Sequence, residues 1–447
     1  MDPPSPTSRN PKYAWSEISR AEPSKRAAGE RVGDFDAVFS LFDEATASEQ
    51  ASRCIQCPNP TCVEACPLNS PIGELLRLTA DGQFMEAARL MFASNSMPEL
   101  FAHVCAGERL CEAACILGAK SDPVPIPSIA RFLLDYGWKH GLAEPPVSPP
   151  TGQSVAVVGA GLCGLVNADE LSRSGYAVTV FDSYAKPGGR LVNGLPGFRV
   201  DRKLIEKRVE LLRQRGVQFR MGMVCGRDIT LGALRRDFDA VFFGLGRTDP
   251  IRLEIPGVDL AGVHQAYPFV LQNTADASLD APRVEVRGRR VIVLGGGETA
   301  LDTLRIALRC GAREAVCIYR RDAADMPARP NDYGNAVEEG ARFLFRSQAV
   351  AIIGNEAGAV TQVRCERTAP GAPDASGRPA VTPVAGSEFD VPADVVLMAC
   401  GFAPPTLSPG DEFADDAHVE RRLDAVQRTQ EAPAPDRVTN AETGQGI

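Results

Sequence analysis

One pattern occurs twice in this 447-residue chain and leaves few folds open to it. An apolar run ends in closely spaced glycines and passes at once into a helical stretch, first as SVAVVGAGLCGL and again as RVIVLGGGETALDTL. Short apolar runs of this kind read as interior strands of a parallel sheet. The glycines let the backbone approach a pyrophosphate, and the N-terminus of the following helix stabilises its charge. A lone copy is weak evidence. After the first copy, however, Asp182 ends the next strand, AVTVFD, where an acid accepts hydrogen bonds from an unphosphorylated ribose. After the second, the strand AVCIYRR ends in Arg320 and Arg321, and paired guanidinium groups suit a 2′-phosphate. The bland reading of those arginines is a pair of solvated strand-end charges. The two copies thus predict an α/β chain with two dinucleotide sites of opposite sign. FAD fits Gly159, Gly161, Gly164 and Asp182, and NADPH fits Gly295, Gly297, Arg320 and Arg321.

Upstream lie seven cysteines in two groups: Cys54, Cys57, Cys62 and Cys66, the last followed by Pro67, then Cys105, Cys111 and Cys115. Close spacing lets consecutive thiolates converge on one iron-sulfur cluster, and a Cys-Pro ending often sends its last thiolate to a second. Two cubane clusters need eight ligands, so one ligand is not a cysteine of these groups. Zinc sites usually close with paired CxxC or histidine units, and His103 is the only histidine nearby. A disulfide framework implies an oxidising compartment, yet the N-terminus, MDPPSPTSRN, has no apolar signal core. Cys163, Cys225, Cys310, Cys317, Cys365 and Cys400 are scattered singly and read as small core residues.

The length suggests about three domains. A net charge of -9 argues against a nucleic-acid partner, whose affinity comes largely from basic patches. No apolar run approaches the roughly 20 residues that span a bilayer. A reducing, cytoplasmic setting follows. Residues 1–30, rich in Pro, Ser and charge, read as a flexible arm or a strap. The spacing of apolar residues predicts a helix from Asp34 to Arg53 and two short amphipathic helices between Pro71 and Met91. PPVSPPTG, at 145–152, marks a linker.

From the cysteine block to Gly401 the sequence resembles the glutamate synthase small-subunit family of NADPH-dependent iron-sulfur flavoproteins, and the N-terminal part of dihydropyrimidine dehydrogenase. The resemblance is carried by RCIQCPNPTCVEACPLNSPI, VCAGERLCEAACILG, GAGLCGL, PGGRLVNGLPGFRVDRKLI, IPGVDLAGV, LGGGETALDTLRIALRCGA, YRRDAADMPA, AVEEGARF and CGFAPPTL. It implies a helical iron-sulfur domain over 31–144 and an FAD domain beginning at 152–282. It further implies an NADPH domain inserted at 283–394, and a return to the FAD domain over 395–447. By the same resemblance Cys54, Cys57, Cys62 and Cys115 hold one [4Fe-4S] cluster, and Cys66, Cys105 and Cys111 belong to the other. The family's eighth ligand is a Glu or Gln, but Ala130 stands at that position, which leaves the second cluster short of a ligand. Gly188, Gly189 and Arg190 match a loop beside the flavin, Gly244 and Gly246 a turn where the chain leaves the FAD domain, and Gly401 its return. Glu298 and Thr299 open the helix at the NADPH site. Relatives continue through a further segment under the flavin, so the resemblance implies either a truncated FAD domain or a flavin site finished differently.

The resulting expectation is an oxidoreductase that passes electrons from NADPH through FAD and two [4Fe-4S] clusters to a larger catalytic subunit, such as the glutamate synthase large subunit or another redox enzyme. No separate catalytic triad is expected, since neither GxSxG nor HExxH occurs. Two alternatives compete. A disulfide reductase needs a dithiol beside the flavin, and the only CxxC, Cys54 to Cys57, lies in the cluster pattern. A flavin-deficient iron-sulfur relay or assembly subunit is the other.

Overall fold

The computed structural model describes residues 13–142, 146–247, 249–274, 283–373 and 378–403. Its N-terminal part is a helical unit built from α1 (Glu44–Ser52), α2 (Ile72–Ala80), α3 (Phe84–Ser94), α4 (Pro98–Val104) and α5 (Ile126–Lys139). Asp43 caps α1, its carboxylate accepting from the Thr46 N–H at 2.7 Å. Leu75, Leu76, Phe84, Ile129, Phe132 and Leu133 form the core between the helices, and Phe84 meets Phe132 edge to face at 5.1 Å.

The helix expected from Asp34 begins only at Glu44. Residues ahead of it serve a different core: Phe35, Val38 and Phe39 pack into the second dinucleotide-binding unit. Arg31, 1% exposed, joins them there through Glu339 at 2.8 Å and Glu338 at 2.7 Å. The described part of the expected arm is instead held within the chain itself: Trp15 and Ala21 pack on the helical unit, where Arg53 donates to the Ile18 carbonyl at 3.1 Å, and Lys25 pairs with Glu338 of the second dinucleotide unit at 2.6 Å.

The first dinucleotide unit is a parallel sheet of β1 (Ser154–Val158), β2 (Ala177–Asp182), β3 (Gln218–Met221) and β4 (Ala240–Phe243), ordered β3-β2-β1-β4. Around it lie α6 (Leu162–Arg173), α7 (Arg190–Asn193), α8 (Arg202–Gln214) and α9 (Leu231–Asp237). In the second unit α10 (Ala266–Thr274), α11 (Glu298–Arg309) and α12 (Pro330–Glu338) accompany five parallel strands: β5 (Val263–Gln265), β6 (Arg290–Leu294), β7 (Glu314–Ile318), β8 (Arg342–Leu344) and β13 (Val395–Met398). Their order is β5-β13-β6-β7-β8. An antiparallel sheet of β9 (Ser347–Gly354), β10 (Val360–Pro373), β11 (Pro379–Pro383) and β12 (Phe389–Pro392) closes one of its faces.

The second unit is wider in sequence than the 283–394 span. β5 precedes that span, and β13, expected in the returning FAD segment, lies between β5 and β6. All four residues of β13, VVLM, are buried, which calls for the interior of a sheet, and its pairing with β5 and β6 makes that sheet the second one. The chain crosses between the units where Asp249–Pro250 pairs antiparallel with Phe402–Ala403. The remainder of the expected return, from 404 on, lies outside the described residues, and with it the expected truncation.

Candidate functional site

The candidate residues form three groups, and the thiols are the first. Cys54, Cys57, Cys62 and Cys115 line one cavity together with Ile55, Leu76, Leu117, Val124 and Ile126. Burial pushes the Cys54 thiol up to about 11, with Cys62, Cys57 and Cys115 adding repulsion. Cys66, Cys105 and Cys111 form the second set. Burial drives Cys111 up to about 12, and its neighbours Cys105 and Cys66 raise it further. Thiols crowded in an apolar pocket lose their thiolate form unless a cation compensates them. Four thiols lining one largely apolar cavity offer a complete sulfur set for a 4Fe-4S cluster, so the residues fit the group. Ala130 lies on α5 and offers no ligating atom.

At the first fingerprint, α6 starts directly from the turn. A Cβ at Gly164 would stand 1.7 Å from the Gly159 carbonyl oxygen, so only glycine permits this closeness. The Gly188–Gly189 loop nestles against the same turn: Gly188 N–H donates to the Ala160 carbonyl at 2.8 Å, and a Cβ on Gly189 would meet Gly161 Cα at 2.6 Å. Asp182 reaches the turn as expected, but its carboxylate already accepts from the Ala160 N–H at 2.6 Å and the Tyr184 N–H at 2.8 Å. Burial raises its pKa against those bonds. Arg190 opens α7 with its guanidinium 3.7 Å from the Phe402 ring centroid and 4.9 Å from that of Tyr267, and it donates to the Arg247 carbonyl. It therefore ties the flavin-side loop to both crossing segments. Gly246 and Gly401 carry the positive φ values of those segments.

At the second fingerprint Gly295 packs against the segment after β13, where a Cβ would lie 2.3 Å from the Ala399 carbonyl oxygen. Glu298 and Thr299 begin α11. The Glu298 carboxylate turns away from the glycine turn, pairing with Arg199 and accepting from the Arg329 N–H at 2.7 Å. The two strand-end arginines part company. Arg320 is exposed, close enough to Cys400 to act on its thiol. Cys400 in turn lies 3.6 Å from the Leu294 carbonyl, beside the glycine turn. Arg321 is 7% exposed and donates from Nε to the Pro379 carbonyl of β11 at 2.7 Å.

Sequence reasoning missed the joints between units. Arg199, in the PGFRV stretch of the first unit, is 5% exposed and pairs with Asp302 at 2.5 Å and Asp332 at 2.9 Å as well as with Glu298. Arg109, between Cys105 and Cys111, donates to the carbonyls of Pro327 at 2.9 Å, Met326 at 3.0 Å and Ala328. Arg329 reaches back to the His103 carbonyl at 3.4 Å. A lone arginine carries no spacing signal, so no pattern marked these. Of the six scattered cysteines, Cys317 and Cys365 are buried as expected, whereas Cys163 is exposed, at the start of α6.

Residues 31–142 match the family described as dihydropyrimidine dehydrogenase domain II, 4Fe-4S cluster. Residues 153–408 match the pyridine nucleotide-disulphide oxidoreductase family. The chain is 39% identical over 399 residues to the small chain of NADPH glutamate synthase from Escherichia coli (strain K12), covering 88% of this chain and 84% of that protein. It is also 39% identical over 396 residues to the putative oxidoreductase AegA of the same organism, spanning 86% of this chain and 60% of that one. Among solved structures, Mycobacterium tuberculosis FprA in complex with NADPH is similar in fold, with a TM-score of 0.51 at 22% identity over 59% of this chain and 73% of that one.

Proposed function

Because the chain belongs to the family of NADPH-dependent glutamate synthase small chains, we propose that it sends electrons through its helical unit to a larger catalytic subunit. The protein is an NADPH-dependent oxidoreductase that uses FAD and 4Fe-4S chemistry. Its family favours this reading over a flavin-deficient relay. When bound, the flavin and clusters supply the conversion of a two-electron hydride into single electrons. The chain's own residues bind, orient and space them. Gly159, Gly161, Gly164, Gly188 and Gly189 would cradle the FAD pyrophosphate, with Asp182 holding the turn. Gly295, Gly297 and the start of α11 would receive the NADPH pyrophosphate, and Arg320 the 2′-phosphate. Arg321 would brace β11 beside it. Cys54, Cys57, Cys62 and Cys115 would hold one cluster, and Cys66, Cys105 and Cys111 the other.

The observation that carries the electron route is the seat of α4, which leads directly into Cys105: its Leu100 and Val104 pack into the core of the first dinucleotide unit, and its Glu99 pairs with Arg208 of that unit at 2.7 Å. Arg109 fastens the same Cys105–Cys111 loop to the second unit at Met326–Ala328. The second set would then receive electrons from the flavin and the first pass them on. Among the described residues no helix is long and apolar enough to cross a membrane. Thiols free to take a cluster suit a reducing, cytoplasmic compartment.

The test combines the holoprotein with a purified glutamate synthase large chain. A complex on gel filtration and NADPH-dependent glutamate formation are expected. Failure of both, with NADPH still reducing the clusters, would assign the electrons to a different redox enzyme.

A further inference from the structure

Gln265 ends β5, the edge strand of the second parallel sheet. Its side-chain oxygen Oε1 is shut off from solvent and has no hydrogen-bond partner. A buried acceptor without a donor is uncommon in folded proteins and points to a partner that arrives with a ligand or a water. Where it lies narrows the choice. Gln265 is in register with Met398, which is in register with Leu294, and Leu294 with Ile318. These residues form one row at the carboxyl ends of β5, β13, β6 and β7. Gly295 of the fingerprint follows directly on this row, and Arg320 stands two residues past Ile318.

In a sheet of this kind the ligand lies outside the carboxyl ends, across the point where the strand order reverses. That point is β6, with β7 and β8 on one side and β13 and β5 on the other. A dinucleotide with its 2′-phosphate at Arg320 and its pyrophosphate at the glycine turn runs its far end over β13 toward β5. Three strand spacings, roughly 14 Å, separate β7 from β5. Gln265 also borders the flavin side. α10 begins at the next residue, and its Tyr267 hydroxyl lies 3.2 Å from that of Tyr184, just past Asp182.

We propose that Gln265 Oε1 accepts a hydrogen bond from the carboxamide NH₂ of the nicotinamide, and so fixes the ring that faces the flavin. The inference rests on the NADPH reading of the second unit. It makes Gln265 a binding residue that selects a carboxamide.

Calorimetric binding to the full holoprotein, compared between wild type and Gln265→Leu, tests it with three ligands. NADP⁺ carries the carboxamide, 3-acetylpyridine adenine dinucleotide phosphate replaces it with a methyl ketone that cannot donate, and adenosine 2′,5′-bisphosphate lacks the nicotinamide. Wild type should favour NADP⁺ over the ketone analogue by roughly three- to tenfold, the worth of one neutral hydrogen bond. Gln265→Leu should abolish that preference and leave the bisphosphate unchanged, which also reports an intact fold. Gln265→Glu, which keeps an acceptor, should retain the preference. A Gln265→Leu protein that still prefers NADP⁺ overturns the proposal and leaves Oε1 to a water. Wild type that fails to bind the bisphosphate overturns the NADPH reading itself, and this proposal with it.

Discussion

Replacing Arg320 with Ala should separate the two phosphorylation states of the nicotinamide cofactor, whereas replacing Arg321 should cost stability instead. The structure supports this division because the neighbouring guanidinium groups are in different environments. Arg320 is exposed beside the glycine turn, while Arg321 is 7% exposed with Nε committed to the Pro379 carbonyl. A charge-assisted hydrogen bond to a phosphate contributes about 1.5–3 kcal/mol. Exposure and salt at 0.15 M favour the lower end of that range. At about 1.4 kcal/mol per factor of ten, Arg320→Ala should weaken NADP⁺ binding about tenfold. NAD⁺, with no 2′-phosphate to lose, should change less than about twofold on the same argument. Arg321→Ala leaves the Pro379 carbonyl without this donor, a loss of about 1–3 kcal/mol. That corresponds to a melting temperature lower by several degrees, at about 2–4 °C per kcal/mol. Calorimetric titration with both cofactors and a thermal melt of each variant decide the matter. The reasoning fails if Arg320→Ala weakens NAD⁺ as much as NADP⁺, or if Arg321→Ala alone removes the discrimination.

Two further outcomes follow from the same geometry. Ala130 stands where the family resemblance places the eighth cluster ligand, so Ala130→Glu should slow the loss of iron and sulfide during air exposure, followed by timed iron and labile-sulfide assays; equal rates would show that another group already completes the cluster. Burial alone would raise the Glu339 carboxyl, but hydrogen bonds and charge from Arg305 and Arg309 hold it at about 2, below its ordinary 4.5. Its folded pKa is therefore the depressed one, so its stabilising contribution is complete above about pH 4.5 and is lost as pH falls toward 2. Glu339→Gln should accordingly lower the melting temperature sharply at pH 7, since breaking a buried ion pair costs about 3–5 kcal/mol. Its deficit against wild type should shrink below pH 4.5; a deficit independent of pH would place the cost in packing.

What was legible in the sequence is what backbone geometry enforces. The turns at Gly159–Gly164 and Gly295–Gly297 could be read because a side chain at Gly164 or Gly295 collides with neighbouring backbone. The cysteine groups could be read because cluster ligation fixes their spacing. Contacts between units left no such trace. Arg199, Arg109 and Arg31 each join segments far apart in the chain, and a single arginine looks the same in sequence whether it is solvated or buried among carboxylates. The pair Arg320 and Arg321 was visible as charge, but which one faces the cleft depends on β11, a hairpin strand nearly 60 residues further on. The position of β13 was hidden for a similar reason, since four apolar residues fit the interior of either parallel sheet and only the tertiary pairing with β5 and β6 decides.

The central claim, that electrons pass from NADPH through flavin to iron-sulfur clusters within this chain, is tested most directly by anaerobic titration of the purified holoprotein with NADPH. Visible absorption and electron paramagnetic resonance are recorded on the same samples. The account predicts that the flavin bands and the broad cluster absorption both bleach, and that a reduced-cluster resonance grows with added NADPH. Clusters that dithionite reduces while NADPH leaves both flavin and clusters oxidised would contradict it, as would a protein containing zinc and no sulfide.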